Sequence, residues 1–155
     1  MKLYYDFHIH SCLSPCGDDD STPNNIVNMA LFKGLNAIAV SDHNTGRNCP
    51  AVMAVGKKSG LVVLPAMELT TSEDIHILCL FEEYANLERL EAHLQKTRLK
   101  IRNKREIFGK QQILNENDEP VGEIEDLLIV SSGISVENVA DLVKGYGGIP
   151  IPAHV

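Results

Sequence analysis

At 155 residues the chain is long enough to bury one real core, and 44% hydrophobic with 23% charged residues is an ordinary globular composition, which excludes disorder or a fibre. A formal net charge of -7 argues against indiscriminate nucleic-acid binding, because polyanion affinity comes from Lys and Arg neutralising phosphates. No apolar run reaches the length of a membrane span, and Asp6 interrupts the N-terminus before a signal-like stretch develops, so a cytoplasmic protein with no membrane partner is expected.

Leu3 to Phe7 is short and rich in β-formers, and reads as a first strand opening onto His8 and His10. A polar loop to Ser21 follows. Thr22 and Pro23 then supply an N-cap and a first helical residue, with Gly34 as the stop. Asn36 to Val40 reads as a buried second strand before Ser41-Asp42-His43-Asn44, and Ala51 to Lys58 as a short helix. Leu61 to Pro65, running on to Glu68, and Ile75 to Phe81, containing His76, complete a strand–helix–strand alternation that points to a parallel sheet or barrel.

From residue 86 to about 114 the pattern predicts a long charged helix, inserted after the fourth strand, with Leu87, Leu90, Leu94, Ile101 and Ile107 as its buried contacts. Residues 115–122 form an acidic turn, and 124–132 fit strand and helix patterns equally poorly. Ser135 to Lys144 suits a helix stopped by the glycines around Tyr146, and Ile149 to Ala153 a fifth strand ending at His154.

Four of the six histidines, His8, His10, His43 and His154, fall at or just past the C-terminal end of a predicted strand. In parallel α/β architectures those ends converge on one mouth, so ligands far apart in sequence can meet. His8 and His10 are two residues apart and point to one face of a strand. Asp42 is placed to orient a neighbouring ligand, and Glu68 can bridge two cations. His76 lies in an apolar strand that seldom takes an unpartnered imidazole. Of Asp18, Asp19 and Asp20, Asp18 is the expected ligand because the chain turns away after it. His93 lies within the charged helix and is excluded. Cys12, Cys16, Cys49 and Cys79 are too scattered for a disulfide scaffold and read as reduced thiols, the first two packing near the site.

In order along the whole chain, Asp6-Phe7-His8-Ile9-His10-Ser11, Ala39-Val40-Ser41-Asp42-His43-Asn44, Glu68 with Asp74-Ile75-His76-Ile77-Leu78, and Pro152-Ala153-His154 resemble the motifs of the PHP (polymerase and histidinol phosphatase) superfamily of metal-dependent phosphoesterases. The resemblance implies one PHP domain over residues 1–155, a distorted (β/α)7-type barrel lacking its C-terminal strands, with two or three divalent ions of zinc, manganese or iron. It makes His8, His10, Asp18, His43, Glu68, His76 and His154 the metal ligands, Glu68 bridging. The late Asp-x-His pair that the family also uses is absent before Val155, so the chain is expected to be the N-terminal portion of a longer protein.

The expected chemistry is phosphate-ester hydrolysis by metal-activated water, with no side-chain nucleophile required. An amidohydrolase-like C–N hydrolase also opens with HxH, and a non-catalytic metal-binding remnant would explain an unclosed barrel with unpaired edges. Arg47 is the candidate for gripping a substrate phosphate, and the expected partner is a small phosphorylated molecule or nucleotide. Lys96, Arg98, Lys100, Arg102, Lys104, Arg105 and Lys110 could face nucleic acid, but their spacing spreads them around a helix and favours a solvated one. Open edges would favour self-association into a homo-oligomer.

Overall fold

The computed structural model describes residues 2–154. Strands β1 (Tyr5–Ile9), β2 (Ala37–Val40), β3 (Val62–Thr70), β4 (His76–Leu80) and β7 (Ile149–Pro152) form one sheet in the order β1-β2-β3-β4-β7, curled into a half-barrel. Helices α1 (Pro23–Phe32) and α2 (Cys49–Ser59) connect the first three strands, which are parallel. The expected N-terminus of α1 holds: Thr22 Oγ1 accepts from Asn25 N–H and Pro23 supplies the preset first-turn backbone.

The expectation of a parallel sheet fails at β4, which runs antiparallel to both β3 and β7. Only five residues separate Thr70 from His76, enough for a hairpin and far short of a helical crossover. This reversal places the start of β4, not its end, at the mouth where β1, β2 and β3 finish. A second reversal restores the direction in β7, so its C-terminal end reaches the same mouth.

Side-chain alternation divides the sheet into two faces. Ile38 and Val40 pack on α1 and α2, while Met67, Leu69, Ile77 and Cys79 pack on α3 (Tyr84–Thr97) and α5 (Val136–Gly145). The opposite, concave face carries Phe7, Ala39, Leu64, Ala66, Leu78 and Leu80. Glu68 lies two residues beyond Ala66, and His76 two before Leu78, so both belong to the concave face. Burying an acid there is costly without partners.

The long helix expected over 86–114 stops at Thr97. Its first apolar positions, Leu87, Leu90 and Leu94, are fully buried, but Ile101 and Ile107 are exposed and cannot hold a continuing helix to the core. Beyond it lie the short α4 (Arg105–Phe108) and a two-stranded hairpin, β5 (Gln112–Leu114) with β6 (Pro120–Glu123). The acidic turn is structural: Asp118 accepts from Thr22 Oγ1 at 2.8 Å and from Asn24 N–H at 3.1 Å, placing a carboxylate at the N-terminus of α1.

Residues 124–132 are irregular, and buried amide side chains satisfy their backbone. Gln111 donates to the carbonyls of Ile124 and Asp126 and accepts from Leu128 N–H, while Asn44 donates to the carbonyls of Leu128 and Val130. Neither a helical nor a strand period is needed, and neither is present.

Candidate metal centre

Five imidazoles converge on Glu68, which is completely buried. Its Oε1 lies 3.1 Å from His8 Nε2, 3.1 Å from His76 Nδ1 and 3.0 Å from His154 Nε2. Its Oε2 lies 3.2 Å from His10 Nε2 and 3.3 Å from His43 Nδ1. The β2 and β3 backbones carry His43 to this point, since Asn44 N–H donates to Glu68 O and Glu68 N–H to Asp42 O at 3.0 Å each. His8 and His10 arrive from the end of β1, His76 from the hairpin, and His154 just beyond β7.

These contacts are close enough for ion pairs, yet His8 Nε2, His43 Nδ1 and Glu68 Oε2 are buried with no hydrogen-bond partner. For His10 the reason can be traced. Ser14 Oγ donates its single hydrogen to Asp42 Oδ1 at 2.7 Å, so at 3.3 Å it accepts from His10 Nδ1–H. In the neutral imidazole that metal binding requires, the nitrogen facing Glu68 Oε2 then carries a lone pair. A cation between the two atoms would be coordinated by both. The separations of 3.0–3.3 Å match the edges of a coordination shell, about 3.0 Å for octahedral and 3.3 Å for tetrahedral ligands at metal bonds near 2.0–2.1 Å.

The protonation states suit the same occupant. Burial, reinforced by the neighbouring imidazoles and opposed by Glu68, pulls His43 down to about 4, leaving it neutral near pH 7. Burial alone would raise Glu68, but the surrounding His10, His43 and His8 imidazoles outweigh it and hold the carboxyl well below the usual carboxylate range. Neutral imidazole and ionised carboxylate are the forms that bind metal.

Among the described residues three groups of potential ligands result: His8 with Glu68 and His154, His43 with Glu68 and His76, and His10 with Cys16 and His43. The first two contain only residues singled out from the sequence. Asp18 joins none of them; its Oδ1 accepts from Asp20 N–H at 2.8 Å while the residue faces a cavity beside His10. Cys16, expected to be a packing thiol, is exposed and lies in the group with His10 and His43. Arg47 is exposed and lines a separate groove with Pro50, Ile113 and Val121.

Asp42 acts through its neighbours, as its position after β2 suggested. It is buried and accepts from Ser11 N–H at 2.8 Å, Ser11 Oγ at 2.7 Å and Ser14 Oγ at 2.7 Å. The connection Asp42–Ser14–His10 fixes the imidazole's tautomer and orientation. Asn48, which the sequence reading passed over, holds the same loop to the β5–β6 hairpin: its side chain donates to Ser11 Oγ and accepts from Leu114 N–H.

No family model matches the sequence. An uncharacterized protein of Methanocaldococcus jannaschii is 33% identical over 76 residues, 44% of each chain, so the matched part spans less than half of that relative. Four solved structures, two of them of endonuclease Q, align with nearly all of this chain. A protein assigned as a metal-dependent phosphoesterase of Bifidobacterium adolescentis matches at a TM-score of 0.67 with 20% identity, covering 99% of this chain and 68% of that one. The lesion-specific endonuclease Q of Pyrococcus furiosus matches at 0.67 with 17% identity, covering 99% and 35%; endonuclease Q is also known in complex with a DNA duplex bearing an abasic lesion at the active site. An amidohydrolase of Chromobacterium violaceum, solved with sulfate and no metal, matches at 0.59 with 19% identity, covering 98% and 67%. At these identities what is shared is the architecture: the chain has the mixed α/β, half-barrel fold found within a metal-dependent phosphoesterase, an endonuclease and an amidohydrolase.

Proposed function

We propose that His8, His10, His43, Glu68, His76 and His154 hold two or three divalent transition-metal ions, and that the protein hydrolyses phosphate esters. The half-barrel is then the N-terminal part of a PHP-type (β/α)7 barrel. The observation that carries this reading is the convergence of five imidazoles on one buried carboxylate, with His8 Nε2, His43 Nδ1 and Glu68 Oε2 buried and without hydrogen-bond partners. Divalent cations bound there would supply Lewis acidity toward a phosphoryl oxygen and an activated water as nucleophile. Mixed imidazole and carboxylate donors favour zinc, manganese or ferrous iron over magnesium or calcium.

The remaining work falls to the chain. Glu68 offers an oxygen to each side of the cluster, and Asp42 with Ser14 holds His10 in its ligating tautomer. The Ser11 and Ser14 hydroxyls are committed to Asp42 and are unsuited to nucleophilic attack. A cavity of ≈ 410 Å³ beside His10 has room for a small substrate or a nucleotide, but Asp6, Asp18 and Asp20 line it together with Lys33, so a substrate phosphate would have to be held by the bound cations and not by the wall. A nucleic-acid surface on the basic segment is less well supported: Arg98 is buried, and Arg105 is paired with Glu123 at 2.7 Å.

Removing metal with EDTA, verified by elemental analysis, should abolish release of phosphate from monoesters and nucleotides, and manganese or zinc should restore it. Turnover that persists in the verified metal-free protein rejects the mechanism. The fold shared with an amidohydrolase gives a second reading, C–N hydrolysis, which ammonia release without phosphate release would favour. Metal content with neither activity would indicate a binding domain. Independently of substrate, His8→Ala combined with His10→Ala should lose most of the bound metal in titration, because it removes one ligand from each oxygen of Glu68; unchanged stoichiometry would overturn the ligand assignment.

A further inference from the structure

We infer that Cys16 is a metal ligand, and that with His10 and His43 it forms a sulfur-containing pole of the centre that selects a borderline or soft divalent ion such as zinc or ferrous iron. This rests on the reading of the histidine cluster as a metal centre and adds a donor to it. The potential ligand atoms of Cys16, His10 and His43 all lie within 4.8 Å of one another. Two features besides the thiol point to an occupant. His43 is only 7% exposed, and its buried Nδ1 has no hydrogen-bond partner. His10, its Nδ1–H committed to Ser14, has only the Nε2 lone pair to offer.

The loop is built to bring Cys16 there. Tight turns close from Ser14 N–H to Ser11 O and from Gly17 N–H to Ser14 O, and a Cβ on Gly17 would stand 2.0 Å from the backbone oxygen of Ser11. Only glycine at 17 lets the chain fold back this closely, and the turn delivers the preceding side chain toward His10 and His43. Cys12, Cys49 and Cys79 are buried, whereas Cys16 is exposed at the mouth. Thiolate favours zinc and ferrous iron over manganese, which prefers oxygen donors. Coordination drives off the thiol proton, which passes to solvent.

Cobalt(II) and zinc(II) test this on the full chain. The metal-free protein loaded with cobalt(II) should show the intense near-ultraviolet sulfur-to-cobalt charge-transfer band, and Cys16→Ser should lose that band while retaining the weaker visible bands of cobalt bound by the histidines. With zinc(II) at about 100 times its Kd, alkylation of Cys16 followed by peptide mass spectrometry should slow about 100-fold, since only the metal-free fraction reacts. Cys16→Asp should keep zinc but shift preference toward manganese. Cobalt bound with visible bands alone, together with unprotected alkylation, overturns the ligand role of Cys16 and leaves the histidine centre standing. No cobalt binding at all overturns both.

Discussion

Glu68→Gln should strip most of the metal from the protein and lower phosphoesterase turnover about 10³-fold, the equivalent of losing about 4 kcal/mol of transition-state stabilisation. The substitution preserves side-chain volume in a fully buried position, so the effect is on charge and donor character and not on packing. Glutamine brings one neutral oxygen and one amide donor. If the oxygen faces the His8, His76 and His154 side, the amide hydrogens point at His10 and His43, where a cation would sit; the reverse orientation blocks the other side. Either way one oxygen can no longer serve both sides. Elemental analysis and phosphate release on the same preparation check this, with circular dichroism confirming the fold. A variant with full metal content and normal turnover would mean that Glu68 is a structural acid and that the centre lies elsewhere.

His8, His10, His43 and Glu68 were legible in the sequence because each falls near the end of a short run of β-formers, or just beyond it, and breaks its pattern with a polar group. His76 was legible as an oddity, an imidazole in an apolar strand, but the reason it reaches the mouth was not. That depends on the antiparallel turn at residues 71–75, a tertiary outcome that the apolar run itself does not encode. The inferred role of Cys16 was hidden for a related reason. The Ser11–Ser21 loop is a succession of tight turns without hydrophobic period, so spacing alone ranks Asp18, Asp19 and Asp20 above it. The available signal was Gly17, placed where a close backbone approach was needed.

The segments from 98 to 132 show another limit. Leu87, Leu90 and Leu94 have helical spacing, and the charged residues after them continue to favour a helix locally. What ends it is the core, which offers α3 buried contacts only as far as Leu94. Beyond that point Gln111, Asn44 and Asn48 organise the chain through buried amides whose partners are between 13 and 86 residues away. Single polar residues in a sequence do not announce such roles.

Asp42→Ala should lower the melting temperature by about 6–12 °C and weaken metal binding about 10–100-fold, although Asp42 is not among the proposed ligands. The carboxylate accepts three hydrogen bonds, from Ser11 N–H, Ser11 Oγ and Ser14 Oγ, and alanine removes the acceptor of all three, leaving only the Ser14 hydroxyl an alternative partner. Each costs about 1–3 kcal/mol, but they share one loop and are not additive. Burial already pushes the Asp42 pKa upward against those bonds, so removing the charge recovers part of the cost. A net loss near 3 kcal/mol is the expected balance, and in a domain of this size each kcal/mol is worth about 2–4 °C. The effect on metal follows from Ser14: with its hydrogen no longer held by Asp42, the hydroxyl can turn toward His10 Nδ1, and the imidazole can then carry its proton on Nε2, the nitrogen needed for ligation. Asp42→Asn separates the two consequences. Its oxygen can still accept from Ser11 N–H and Ser14 Oγ, keeping the His10 tautomer, while its amide fails only the Ser11 hydroxyl. It should therefore lose stability but retain metal affinity closer to wild type. Equal affinity in wild type, Asp42→Asn and Asp42→Ala, measured by competition with a chromophoric chelator, would show that the Asp42–Ser14–His10 connection does not position the ligand.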